Sequence, residues 1–224
     1  MGMELSSAEE NYLKALFHLT LESREKQTGT GKVADYLQVS PSSVNAMLKR
    51  LKIKGLVRYE RYGKLQLSAS GQRMALDMIR RHRLWETFLY THLNFGWDEI
   101  HEVAEELEHI RSEKLIRELE SFLGHPETDP HGDAIPAADS SYKPAAKKTL
   151  RQMEVGTCCR IVAVRDNSVA FLQYVNTLGL ELSSHLKLLE RRTFDDSLLI
   201  RIDKKREVSV SGKFAENVYV SPEI

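Results

Sequence analysis

The chain has 224 residues, 42% of them hydrophobic, with 32 basic and 32 acidic side chains and a net charge of zero. That length fits two or three compact units of ordinary globular composition. No apolar run approaches the roughly 20 residues of a membrane span, and the start MGMELSSAEENYLKAL has no charged region followed by an apolar core, so neither a membrane helix nor a signal peptide is expected. The only cysteines, Cys158 and Cys159, are adjacent, which excludes a disulfide framework and fits a reducing, cytoplasmic setting.

The zero total conceals an uneven distribution. Residues 1–73 carry +5, residues 74–130 carry −7 and residues 131–224 carry +2. A basic front suggests a polyanion partner, and an acidic middle suggests a cation.

SSAEENYLKALFHLTLES opens with capping serines and sets Leu13, Leu16, Phe17 and Leu21 at helical spacing, which predicts an amphipathic helix of about four turns. After a polar turn near Thr28 to Gly31, KVADYLQV predicts a short second helix. A third follows in SPSSVNAMLKRLKIKGLV, with Ser40 as N-cap, Pro41 at the first helical position and an end near Gly55. Two short helices joined by a tight turn make a helix-turn-helix pattern. Ser40, Ser42, Ser43 and Asn45 are the candidates for base edges or phosphates, and Lys49, Arg50, Lys52 and Lys54 for the backbone of a duplex. The alternation in LVRYERYGKLQLS predicts a two-stranded wing with Arg58, Arg61 and Lys64. Without a polyanion partner, the same residues would be two packed helices with a solvated basic face.

SASGQRMALDMIRRHRLWETFLYTHL predicts a long helix from Ser68 or Ser70, with His82 and Glu86 at i, i+4. From Leu84 to Ile110 there are seven acids and no Lys or Arg. Within IHEVAEELEHIRSE, Val103, Leu107 and Ile110 share one helical face, while His101, Glu105, Glu108 and His109 share the other. Any surface helix is amphipathic, but like charges at i, i+4 repel, and a solvated face normally intersperses bases. A divalent cation would neutralise the cluster, and the ExxEH spacing of Glu105, Glu108 and His109 gathers three donors.

Taken in order, AEENYLKALFHL, VSPSSVNAMLKRLKIKGLV, RRHRLWETFL, IHEVAEELEHIRSE and LGHPETDPHGDAIP resemble the DtxR/MntR family of metal-dependent transcriptional repressors over residues 8–136. The resemblance implies a homodimer that binds a double-stranded DNA operator, with the metal and the dimer contact both in the middle helices. Carried over, the primary site comprises Asn11, Glu105, Glu108 and His109. A neighbouring site comprises His82, Glu86 and His101, although His82 joins the main cluster in the manganese branch. Two positions depart from the pattern. Asn11 stands where Asp or Met is common, and Lys14 stands where the manganese branch has a Glu ligand. Iron-responsive members tend to have Cys at the position of Glu105. A carboxylate there makes a hard, oxygen-rich donor set that suits Mn²⁺, with Fe²⁺ as the alternative.

Residues from about Gly124 to Ala146 are rich in Pro, Gly, Asp and Ser and read as a linker, with His125, Asp129, His131 and Asp133 as loop residues rather than donors. CCRIVAVRD, LKLLERRTF, LLIRIDKKREVSVSG and NVYVSPEI predict short strands around a helix in SVAFLQYVNTLGL. This tail resembles the FeoA-like, SH3-like barrel of longer family members, in some of which it lends polar ligands to the neighbouring site; Asp166 and Asn167 are the nearest candidates here.

The expected fold is therefore mainly α, with a winged helix-turn-helix (1–70), a helical metal-binding and dimerisation domain (71–136), a linker (137–146) and a small SH3-like β-barrel (147–224). The expected function is a Mn²⁺-responsive repressor of metal-uptake genes, not an enzyme. One rival is a di-metal carboxylate enzyme, which needs a four-helix bundle that the wing and barrel sequences leave no room for. Another is a repressor that senses an organic ligand.

Overall fold

The first helix, α1 (Ser7–Phe17), starts where Ser6 and Glu9 cap each other's backbone amides, a reciprocal capping box. Glu9 also accepts from Lys54 Nζ at 2.9 Å, tying the start of α1 to the end of α3 (Pro41–Ile53). In the computed structural model, residues 5–23, 28–59, 64–143, 147–166 and 168–223 are described. They divide into two units, one formed by residues 1–82, 107–113 and 135–144, the other by residues 83–106, 114–134 and 145–224.

In the first unit, α1 continues into a single π turn over His18–Glu22, and α2 (Thr30–Leu37) ends at Gln38 in the left-handed region. Ser40 caps α3 through the Ser43 amide and Pro41 follows at its first turn, as the sequence predicts. Strands β1 (Val57–Tyr59) and β2 (Leu65–Leu67) pair antiparallel, Val57 opposite Leu67, and form the wing. Leu13, Leu16, Phe17, Val33, Val44, Leu48, Leu51, Leu56 and Leu65 are buried in one core. The long helix α4 (Ala69–His92) begins after Ser68, whose hydroxyl accepts from the Gly71 amide. A Cβ at Gly71 would lie 2.0 Å from the Leu56 carbonyl oxygen, so glycine is what lets α4 start against the backbone just before β1.

In the second unit, the end of α4 is joined by α5 (Ile100–Leu107) and α6 (Glu113–Phe122). The sequence reading treats IHEVAEELEHIRSE as one helix, whereas α5 stops at Leu107 and Glu108 and His109 form a turn. Nor is the apolar stripe the buried one. Ile100, Ala104 and Glu108 are buried, whereas Val103 and Leu107 are half-buried and Ile110 is 38% exposed. The C-terminal residues form a six-stranded antiparallel sheet in the order β3 (Lys148–Thr149), β8 (Val218–Pro222), β4 (Cys158–Val164), β5 (His185–Arg191), β6 (Leu198–Ile202), β7 (Arg206–Val210). Helices α7 (Val169–Thr177) and α8 (Gly212–Asn217) accompany the sheet. No helix of the described residues is long and apolar enough to cross a membrane.

The linker is more structured than its composition suggests. Thr128 bridges Ala134, and Asp129 Oδ1 accepts from the amides of His131 and Asp133. Further on, Tyr142 packs edge-on against Phe17 and donates to Glu22 Oε1 at 3.1 Å, within the first unit.

Candidate metal centre

The centre of the first unit is assembled by α1, His82 on α4, and the turn at 107–113. Lys14 Nζ donates to Glu108 Oε2 at 2.7 Å and lies 3.2 Å from His82 Nδ1, which is itself 2.5 Å from the same carboxylate oxygen. Glu108 is fully buried. Burial alone would raise its pKa, but the His82 imidazole and the Lys14 ammonium outweigh that and hold it below the ordinary carboxylate range. One turn before Lys14, Asn11 Oδ1 is buried without a hydrogen-bond partner among the described residues, and so is Glu108 Oε1. An unsatisfied buried acceptor costs about 1–3 kcal/mol. Each such oxygen is a hard donor of the kind that a divalent cation satisfies.

His109 is set by Glu10, whose Oε2 lies 2.6 Å from His109 Nδ1. A carboxylate only accepts here, so Nδ1 carries the hydrogen and Nε2 is left as the ligating lone pair. Glu10 is held in turn by Arg111 at 3.1 Å and Arg81 at 3.8 Å. That Glu10 orients His109 depends on tertiary packing, because the two lie 99 residues apart in the chain.

The second unit gathers a different set. Glu86 Oε1 lies 3.2 Å from His101 Nδ1 and 3.7 Å from His131 Nδ1, and His101 Nε2 lies 3.4 Å from Glu105 Oε1. Glu86, Asp129 and His131 are all buried, with one donor atom from each within 4.8 Å of the others. The His131 ring stacks on Trp97 and its Nε2 faces the Trp97 carbonyl oxygen at 3.2 Å. A carbonyl only accepts, so Nε2 carries the hydrogen, and Nδ1 on the side of the carboxylates faces them as a donor when protonated and offers a lone pair to a cation when not. Burial, Asp133 and Glu86 push the Asp129 carboxyl up to about 7, against the opposing pull of Arg83 and His131. Burial also opposes a charge on His131, but the facing carboxylates of Glu86 and Asp129 hold its pKa above the ordinary imidazole range. Reading Asp129 and His131 as loop residues fits their backbone but misses their burial.

The other expected site residues are placed as follows. Ser42, Ser43, Asn45, Lys49 and Arg50 are exposed on α3, opposite buried Val44, Leu48 and Leu51. Ser40 is committed to the cap, its Oγ 2.8 Å from Ser42 Oγ and 2.9 Å from Ser43 Oγ. Arg58 and Lys64 are exposed on the wing, whereas Arg61 and Asn167 lie outside the described residues.

A winged helix-turn-helix joined to helices with buried carboxylate and imidazole clusters defines a metal-responsive DNA-binding regulator. Residues 4–65 match the iron dependent repressor N-terminal DNA binding domain, residues 68–137 the iron dependent repressor metal binding and dimerisation domain, and residues 148–222 the FeoA domain. The chain is 33% identical to a manganese-dependent transcriptional repressor solved in complex with manganese, at a TM-score of 0.84, covering 96% of this chain and 100% of that one. It is 30% identical to the manganese regulator SloR, at a TM-score of 0.77, covering 96% and 98%. The iron-dependent repressor IdeR of Mycobacterium leprae is 32% identical over 133 residues, 59% of this chain and 57% of that protein, so the alignment spans little more than half of this curated relative. The chain belongs to the DtxR/MntR family of metal-dependent repressors, which are transcriptional regulators rather than enzymes.

Proposed function

We propose that this chain is a Mn²⁺-responsive, dimeric repressor that binds a palindromic operator upstream of metal-uptake genes. The observation that carries this reading is the buried Glu108 carboxylate, whose Oε2 meets His82 at 2.5 Å while Oε1 has no hydrogen-bond partner among the described residues, with Asn11 Oδ1 on α1 a second buried, unsatisfied oxygen. Glu105, the remaining ligand that the family resemblance implies, has its Oε1 3.4 Å from His101 Nε2. Glu86, His101, Asp129 and His131 are the donors of a second site. Both sets are oxygen and imidazole without thiolate, the chemistry suited to manganese.

When bound, a divalent ion supplies positive charge for the buried carboxylates and a cross-link between donors far apart in sequence. Asn11 would hold such an ion from α1, and Glu108 and His109 would hold it from the 107–113 turn, on the segment that leads into α6. Glu10 keeps His109 Nε2 pointed for ligation. With the turn fixed to α1, the two DNA-binding heads of a dimer are set for successive major grooves. Ser42, Ser43 and Asn45 then read base edges, while Lys49, Arg50, Arg58, Arg61 and Lys64 contact phosphates. Exposed Leu93 and Phe122 of the second unit are apolar side chains that a second copy could cover.

The test is anaerobic fluorescence anisotropy on DNA from this protein's own upstream region, titrated with buffered Mn²⁺, Fe²⁺ or Zn²⁺ against a chelator control. Tight, sequence-specific binding with Mn²⁺ at the lowest free concentration is expected. Binding indifferent to every metal would overturn the reading.

A further inference from the structure

Lys14 is the residue that the metal-binding reading leaves unexplained. Its side chain is 9% exposed, it donates to a fully buried carboxylate, and its ammonium, the Glu108 Oε2 and the His82 Nδ1 form a closed triangle with sides of 2.7, 3.2 and 2.5 Å. Glu108 thus uses its two oxygens differently. Oε2 is engaged by Lys14 and His82, while Oε1 has no hydrogen-bond partner among the described residues. An ammonium has three donors and no lone pair, so it takes up carboxylate charge as a metal ion does, yet it cannot ligate or be chelated away.

We infer that Lys14 is a built-in cation of this centre. It fills the side formed by Glu108 Oε2 and His82, so that Asn11, Glu108 Oε1 and His109 are left to a single divalent ion. The inference rests on the metal-binding reading given above and adds the number of ions held. Charge supports it, since exchanging the ammonium for a carboxylate changes the local charge by two units, the charge of one divalent ion. A merely structural salt bridge makes a different prediction, because removing Lys14 would then lower stability without altering metal stoichiometry.

The experiment uses the full chain with the second cluster silenced by Glu86→Gln and His131→Gln, dialysed against buffered Mn²⁺ and analysed for bound metal per chain. The parent is expected to hold one equivalent and the Lys14→Glu variant two. A parent with one ion and a Lys14→Glu variant with one, folded by circular dichroism, overturns the role of Lys14 alone. A parent with two ions overturns it as well. A parent that binds none overturns the metal centre and this inference together. Should Lys14→Glu fail to fold, Lys14→Gln decides. Its melting temperature in chelator should fall below the parent's and its rise on adding Mn²⁺ should exceed the parent's, because no ammonium repels the ion. An equal rise overturns the inference.

Discussion

The centre at Glu108 and the cluster at Glu86 use the same ingredients, buried carboxylates, imidazoles and one long basic side chain, but they place the base differently. Lys14 reaches the donors themselves and takes one oxygen of Glu108. Arg83 stays outside, bracing Asp129 Oδ2 at 3.3 Å and Asp133 Oδ2 at 3.7 Å, and donating to the Ala134 carbonyl at 2.6 Å, while the donor atoms of Glu86, Asp129 and His131 face one another. A base inside a donor set limits what the set can hold, whereas a base behind it stiffens the set without competing.

Breaking the brace should have the largest effect. Arg83→Met removes the cation beside buried Asp129, and losing one partner of a buried ion pair costs up to about 3–5 kcal/mol, or at most roughly 6–20 °C in melting temperature for a chain of this size, with the full effect above pH 7, where Asp129 is charged. Thermal unfolding in chelator checks it, and an unchanged midpoint would mean that Arg83 is not a brace. Next is the Glu108→Ala, His109→Ala double variant, which should lose the metal-dependent gain in operator affinity, about 5–150-fold for typical coupling, while far-UV circular dichroism stays helical. Full metal response in that variant would move the sensing function to the Glu86 cluster. Glu10→Ala should weaken Mn²⁺ binding at the first centre by about 10–100-fold through loss of His109 orientation, measured by isothermal titration calorimetry. The smallest effect is expected from alkylation. Exposed Cys158 should react, Cys159 should not, since burial above all pushes its thiol up to about 11, and Mn²⁺ stoichiometry should not change. A loss of bound metal would bring sulfur into one of the donor sets.

The two regions also differ in how far they are legible in the sequence. The cap at Ser40, Pro41 behind it and the alternation of the wing are local signals, and each predicts its element. Asn11, Glu108 and His109 are recognisable as candidate donors, and Lys14 as a residue unable to ligate, from their spacing and family resemblance. That Lys14 touches Glu108, 94 residues away, depends on tertiary packing, as does the Glu10 bond to His109. The helical break at Glu108 has no proline or glycine to announce it, so the start of a separate α6 at Glu113 has no local signal either. Asp129 and His131 sit in a stretch of loop composition, and only the fold reveals that the loop is buried. Burial of a loop has no periodicity to betray it.

Gly132 shows how closely that buried loop is held. Its φ is +80°, and a Cβ there would lie 1.8 Å from the Val162 carbonyl oxygen, while the neighbouring His131 carbonyl accepts from the Val164 amide at 3.0 Å. The loop bearing Asp129 and His131 is thus seated backbone to backbone on β4. A chain cut back to residues 1–137 would keep every donor of the second cluster but lose the strand against which two of them are set. Loop and sheet are a matched pair, and a relative's C-terminal domain could replace this one only together with the loop that fits it.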